Sequence, residues 1–445
     1  MDYELLEYAR MGLSESSRIS GESAVMATEN SSLMIKFYRD GVSVIQRWSL
    51  YSINAYVNRC GRIYVLSVDS RSPRELKDRL KFTRNYALLE PSEYNAPLPE
   101  PEDPGLIPNC YDKSVESIVY GEGVESVVRE LYNELSRHDV DYTAGVVELS
   151  VNRKALVNSR GFEGFFENTS FTGYVRVFRR GVSGQWAFTS TKLDNSLLRD
   201  SVRRASSYVE YELPREKIEA GEYRVAFSPL VVGNIIDYVA EQASALSIDF
   251  GLSFLAKHKV GDRVFSSELT IMDKPRDPEL PLNSSFDDDG LRTYDKPIFE
   301  GGVLKNILHN SKTAFKWGVK STGNAGWIMP HPWNLEVKPG DLGEDELYSA
   351  LGNGILVTSN WYTRIQNFIE GLFSTVSRDV VLIVRNGEAR AIASCRVRVE
   401  GSFRELLSNI EFIGRKQYPI EWWEVEVPVK APYMVFSRAR VSCVS

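Results

Sequence analysis

Histidine is scarce in this chain: four in 445 residues, His138, His258, His309 and His331, with no two within 20 positions of one another. A metal site local to one helix needs two imidazoles about a turn apart beside a carboxylate. No neighbouring residues here can supply that pair. A site assembled from distant His309 and His331 stays open, but solvated or hydrogen-bonded imidazoles are the expectation. The four cysteines, Cys60, Cys110, Cys395 and Cys443, include no C-x-x-C and have no histidine near them in sequence. With the acidic start Met1-Asp2-Tyr3-Glu4 offering no signal peptide, they read as reduced thiols of a cytoplasmic protein, Cys443 being structural or frayed. No G-x-S-x-G elbow, P-loop or dinucleotide fingerprint occurs. The longest apolar runs fall short of the ~18 residues a membrane helix needs. Basic residues number 53 against 60 acidic, a net charge of −7, so the chain as a whole is no phosphate neutraliser and nucleic acid is not an expected partner. Only five glutamines occur, a composition associated with hot-living sources.

What is present is an ordinary globular composition, 43% hydrophobic and 25% charged. A chain of this mass buries roughly three quarters of its extended surface, so a core needs no disulfides. Periodicity divides it into units of an α+β fold, an N-terminal α/β portion in two units followed by a large β-rich domain. An opening helix, Tyr3 to Met11, stops at Gly12. The alternating stretch Gly21–Ser67, with turn signals at Asp40-Gly41 and Cys60-Gly61, reads as a β-meander. Ser72-Pro73-Arg74-Glu75 supplies cap, N1 proline and capping-box acid for a helix to Tyr86. These elements form a first α+β unit, 1–90. Six of the 19 prolines (Pro91, Pro97, Pro99, Pro101, Pro104, Pro108) then make residues 91–110 an extended linker.

A second α+β unit spans 111–213. Val124, Val127, Val128, Leu131 and Leu135 stripe one helix face, strands are expected at 142–150, 154–158, 170–178 and 185–189, and a helix at 195–207. Arg179-Arg180 before Gly181 marks a hairpin end, and Arg203-Arg204 a solvated helix face. From 220 to 445 the chain is β-rich, after a helix opened by Ser228-Pro229 with Ile235, Ile236, Val239, Ala240 and Ala243 at helical spacing.

Few residues in this last domain advertise chemistry. Asp237 and Glu241 stand at i, i+4 and could share a cation, yet like charges at that spacing normally sit apart in water. Asp287-Asp288-Asp289-Gly290 lacks the alternating ligands of a calcium loop and reads as an acidic turn. Trp317, Trp327, Trp333, Trp361, Trp422 and Trp423 fit either a β core or a stacking surface for a peptide or partner.

Taken together, these segments resemble the TldD/PmbA family. Phe286-Asp287-Asp288-Asp289-Gly290, followed by Gly302-Val303-Leu304, is similar to its F-D-x-(D/E)-G…G-V-L segment. Ser321-Thr322-Gly323-Asn324-Ala325 matches its S-T-G-N-A run, and Val157-Asn158-Ser159-Arg160-Gly161 its V-N-S-x-G. The family-motif loops thus hold Asp287, Asp289, Gly290, Gly323, Asn324 and Ala325.

The resemblance implies paired subunits acting as a cytoplasmic metallopeptidase on unfolded or leader-bearing peptides. TldD-type chains carry H-E-x-x-x-H on a helix and a later cysteine; PmbA (TldE)-type chains lack them. Here Asp237, Tyr238 and Gln242 stand at the three motif positions, and the stretch around Trp422-Trp423 offers no cysteine. The expectation is a PmbA-type subunit with no catalytic or metal-binding residue and no cofactor of its own. It would pair with a TldD-type chain that carries zinc or a similar divalent metal, or with itself, around an unfolded peptide, without nucleic acid or membrane. Two alternatives stand beside it. One is a self-sufficient metallopeptidase using Asp237, Glu241 and a distant histidine. The other is a non-enzymatic homodimeric peptide-binding protein.

Overall fold

A computed structural model of the chain describes residues 3–39, 41–70, 73–83 and 92–444. Asp40, Ser72, Tyr86 and Pro91, to which the sequence assigns a turn, a cap, a helix end and the first linker proline, lie outside the described residues. The fold is α+β. Six antiparallel strands form the N-terminal sheet: β1 (Glu22–Arg39), β2 (Gly41–Arg59), β3 (Arg62–Val68), β4 (Tyr142–Asn158), β5 (Glu163–Arg179) and β6 (Val182–Ser190). Their order is β3-β2-β1-β4-β5-β6, with β1 beside β4. The strands of 1–90 and 111–213 therefore belong to one continuous sheet. The proline-rich stretch runs without regular structure from one flank to the other.

Alternation sorts the side chains of this sheet. Odd-numbered positions of β1 and β4 face helices: Val25, Ala27, Ala155 and Val157 meet α1 (Tyr3–Ser16) and α2 (Pro73–Thr83) at one end. Leu33, Ile35, Phe37, Val147, Leu149 and Val151 meet α3 (Lys113–Tyr120) and α4 (Val124–Leu135) at the other, with α5 (Asn195–Ser207) joining the same core. Between these cores Arg153 bridges Glu29, Glu116 and Glu167. The even positions form the opposite face, and there the rest of the chain docks.

Helix α1 runs past Gly12, where the sequence places its end. A Cβ at residue 12 would stand 2.8 Å from Val25 Cγ1 and 3.0 Å from Leu76 Cδ2, so this glycine serves close helix-to-sheet packing rather than a stop. The strands expected at 142–150 and 154–158 are one, β4, because Asn152 and Arg153 point to opposite faces instead of turning. Helix α5 has the expected bounds: Asp194 accepts from Ser196 N at 2.8 Å, and Leu198, Val202 and Ala205 are buried below it. Asp194→Ala should lower stability by about 1 kcal/mol in urea denaturation, the usual effect of losing such a cap.

Beyond residue 213 the chain forms two further sheets. A six-stranded mixed one includes Ile271–Asp273, Lys296–Glu300, Leu335–Val337, Tyr418–Trp422 and Val425–Ala431. A ten-stranded one includes Gly221–Phe227, Leu372–Ser377, Arg396–Ser402 and Met434–Val444. Helix α6 (Pro229–Glu241) lies between them and is buried over almost its whole circumference. Cys395 and Cys443 form a disulfide with Cα atoms 5.9 Å apart, which corrects the expectation of four reduced thiols. Strand pairing Val397↔Cys443 is what brings these distant positions together, while Cys60 and Cys110 stay free. Among the described residues no helix is long and apolar enough to cross a membrane.

Candidate functional site

The even face of the N-terminal sheet carries a row of polar side chains along β4: Glu148, Ser150, Asn152 and Lys154. Strand register places Asn30, Asn152 and Asn168 side by side on β1, β4 and β5. Their amides form a ladder: Asn30 Nδ2 donates to Asn152 Oδ1 at 2.6 Å, and Asn152 Nδ2 to Asn168 Oδ1 at 3.0 Å. Asn168 Nδ2 donates onward to Asn283 Oδ1 at 2.8 Å and Pro281 O at 2.7 Å. The next rung pairs the Ser32 and Ser150 hydroxyls at 2.7 Å. An exposed antiparallel sheet is polar on its outer face, but here the 278–283 loop, Trp333 and the strands 418–431 cover it. The result is a furrow of about 500 Å³ between the two halves of the chain.

The furrow is lined mostly by polar residues, with four acids against two bases. Burial raises the Glu148 carboxyl, and it lifts Glu421 to about 7 against the opposing bond from Thr189 Oγ1, 2.6 Å from Glu421 Oε2. Neither acid has an ion-pair partner among the described residues. Lys154 Nζ donates to Phe286 O at 3.2 Å and lies 4.7 and 5.1 Å from the Phe286 and Trp333 ring centroids. Burial pushes this ammonium down, with Asp288 and Asp287 opposing. Sequence reasoning missed the asparagine ladder. The alternation Val147-Glu148-Leu149-Ser150-Val151-Asn152 was the signal for its face, but not for its cover.

The family-motif loops meet the furrow's lining at Lys154 and Trp333 and hold one another. Asp287 Oδ1 accepts from Asp289 N (3.1 Å) and Leu291 N (2.9 Å), while Oδ2 accepts from Ala325 N (3.1 Å). Burial first, then Asp289, pushes the Asp287 carboxyl up. Asp289, fully buried, meets Ser311 N at 2.9 Å and Lys312 Nζ at 3.2 Å. Gly290 has φ +88°, and a Cβ there would stand 2.9 Å from the Phe162 ring. Gly323 O accepts from Trp333 Nε1 at 2.9 Å, and Asn324 Nδ2 donates to Asp273 Oδ2 at 2.7 Å. The Val157–Gly161 turn closes the cluster: Asn158 Oδ1 accepts from Arg160 N and Phe162 N at 2.9 and 3.0 Å. The sequence reads 287–290 as an acidic turn, and these bonds make it a buried clip between loops.

Helix α6 carries the other set of positions, and no hydrogen bond joins it to the clip among the described residues. Asp237 is 5% exposed rather than solvated, which corrects the sequence expectation. Its Oδ2 accepts from Glu426 N (2.9 Å) and Val427 N (3.3 Å), and its Oδ1 is buried without a partner among the described residues. Burial, then Glu241, raises the carboxyl to about 8. Tyr238 OH donates to Thr363 O at 2.9 Å, and Gln242 is buried at the helix end. These groups face different neighbours and do not fit a zinc ligand set of two imidazoles and a carboxylate. Among the described residues no three His, Cys, Asp or Glu side chains converge to hold a metal. His309, pushed down to about 4 by burial, meets Thr313 Oγ1 at 3.1 Å.

Comparison with known proteins agrees with this architecture. The profile of the PmbA/TldA metallopeptidase C-terminal domain matches residues 220–443. A metalloprotease PmbA homolog of Haemophilus influenzae is 31% identical over 196 residues, 44% of this chain and 42% of that protein. A zinc metalloprotease TldD homolog of Saccharolobus solfataricus is 26% identical over 176 residues, 37% of this chain and 38% of that protein. These matches thus span less than half the length of either relative. TldE from Thermococcus kodakarensis shares the fold at a TM-score of 0.83 and 18% identity, over 98% of this chain and 100% of that one.

Proposed function

Since the chain belongs to the PmbA/TldD metallopeptidase family, we propose that it is a PmbA/TldE-like subunit of a peptide-processing metallopeptidase. It contributes substrate binding while a TldD-type chain contributes the metal, zinc or a similar divalent ion, which lowers the pKa of a bound water for attack on the peptide carbonyl. The observation that carries this reading is the commitment of Asp237, Tyr238 and Gln242, which the resemblance sets at the positions of the family's metal motif, to bonds and burial within the fold.

The furrow supports an unfolded peptide as the substrate. Side-chain amides resemble peptide groups, each with donors and an acceptor, so the rungs at Asn30 and Asn152 suit an extended backbone of any sequence. Folded domains are too thick for a cavity of this size. Strand β2 supports a partner chain: its outer edge pairs with β3 only from Ile53 onward, leaving Gly41–Ser52 unpaired there among the described residues. Val42, Val44, Ile45 and Leu50 are exposed along it. Edges of this kind accept an added strand, from a TldD-type chain or a second copy.

A peptidase assay on an unfolded substrate tests the reading, with metal content measured in parallel. It compares this chain, a TldD-type chain and their mixture. Activity is expected to appear or rise in the mixture, with metal following the partner. Chelator-sensitive hydrolysis by this chain alone would overturn it.

A further inference from the structure

Beside α6, four buried nitrogens have no hydrogen-bond partner among the described residues: Arg378 Nε and NH1, Trp361 Nε1 and Trp422 Nε1. They form one cluster. Arg378 Cζ lies 5.6 Å from the ring centroids of both Trp361 and Trp422, and 4.9 Å from that of Trp423. Trp422 is only 6% exposed, whereas Trp423, the outermost ring, is 54% exposed. Native folds pair the large majority of their buried side-chain donors, so four unpaired ones in one cluster, two of them on a guanidinium, are an unusual arrangement.

Neither acid near this guanidinium, Asp379 or Glu424, forms an ion pair with it among the described residues. Asp379 Oδ1 accepts from Arg176 Nε and Ser183 Oγ, both at 2.7 Å, and its Oδ2 accepts from Ser359 Oγ at 2.5 Å. Glu424 Oε1 accepts from Tyr362 N at 3.1 Å. Arg176 and Arg396 add positive charge: the first depresses the Arg378 guanidinium further after burial, and the second lies 4.9 Å over the Trp361 ring. The local field is therefore cationic on a chain whose net charge is negative.

We infer that Arg378, Trp361 and Trp422 form a binding site for a carboxylate, with Trp423 as its movable outer wall. A guanidinium presents two parallel N–H groups to two carboxylate oxygens, and two indole N–H groups complete the donor set around the same anion. The donors stand independently of the proposed function; only the choice of a polypeptide as the carrier of the carboxylate rests on it. The carboxylate belongs either to the free C-terminus of the bound peptide or to one of its acidic side chains.

Three N-acetylated pentapeptides decide this, followed by tryptophan fluorescence and calorimetry on the full chain: one with a free C-terminus, its C-terminal amide, and the amide with one internal glutamate. At least one carboxylate-bearing peptide should bind at least about tenfold tighter than the neutral amide, and which one does identifies the source. Arg378→Gln should abolish that preference without weakening the amide, and Trp422→Phe should reduce it by a few fold. Arg378→Gln removes a buried charge that has no ion-pair partner among the described residues, so its thermal midpoint should equal or exceed that of the parent. Equal binding of acid and amide, or a preference that survives Arg378→Gln, overturns the site. If none of the peptides binds, the peptide-binding reading fails, and titration with sodium acetate decides the site separately. Fluorescence quenching in the parent and not in Arg378→Gln retains the site, and no difference between them overturns it.

Discussion

Asp237→Asn should stabilise the chain at pH 8 by about 3–5 kcal/mol, an advantage that vanishes below about pH 4. The folded-state pKa near 8 has burial as its main cause and the Glu241 carboxylate as its second, whereas an unfolded aspartate titrates near 3.9. Between those values the folded chain retains a proton that the unfolded chain has released. The folded state is thus favoured below the unfolded pKa, and that contribution is lost as pH rises toward the folded pKa. Asparagine keeps a carbonyl oxygen for Glu426 N and Val427 N and has no proton to lose. Urea midpoints of parent and variant at pH 4, 6 and 8 measure the effect. A variant less stable at pH 8, or an advantage independent of pH, would show that Asp237 is held ionised. That outcome would restore it as a candidate cation ligand with Glu241.

The burial of Asp237 was legible in the sequence after all. Pro229-Leu230-Val231-Val232-Gly233-Asn234-Ile235-Ile236 is apolar almost all round, and a helix of that kind is buried on every side, so an aspartate in its last turns has little water to reach. The i, i+4 rule read alone pointed outward. Helix α5 and the hairpin turn at Arg180-Gly181 were set by local signals, a cap with its apolar stripe and a pair of positive φ angles, 49° and 75°. Tertiary contacts decided what local signals could not. Gly12 lies inside α1 because Val25 and Leu76 press against it. Cys395 finds Cys443, 48 residues further on, only through the register of two paired strands. The polar face of β4 showed as an alternation, but its enclosure depends on the 278–283 loop reaching Asn168 from more than a hundred residues away. The family loops showed as motifs, and what they bond to was invisible until both were folded.

Asp289→Ala should destabilise the chain by about 3–5 kcal/mol, the largest single loss expected in the clip. The carboxylate is fully buried and receives the Lys312 ammonium on one oxygen and Ser311 N, at the start of the helix Ser311–Trp317, on the other. Lys312 is itself only 5% exposed, and its other close neighbour is the Tyr56 ring, 4.7 Å from Nζ. Removing the acid therefore leaves an ammonium in the interior with no ion-pair partner among the described residues, Asp288 acting on it only at longer range, which is costlier than removing the pair. The double variant Asp289→Ala/Lys312→Met tests that cause: it should recover most of the loss, with a coupling energy above about 1 kcal/mol between the two sites. Denaturation of parent, both single variants and the double variant closes the cycle. If the double variant is as unstable as the sum of the singles, the destabilisation comes instead from the Ser311 amide and the packing of the loop. The resemblance flags Asp289 as a motif residue, and its bonds explain why the acid matters without assigning it any chemistry. It fastens the loop carrying Asp287 to the helix that follows His309, and through Asp287 to Ala325.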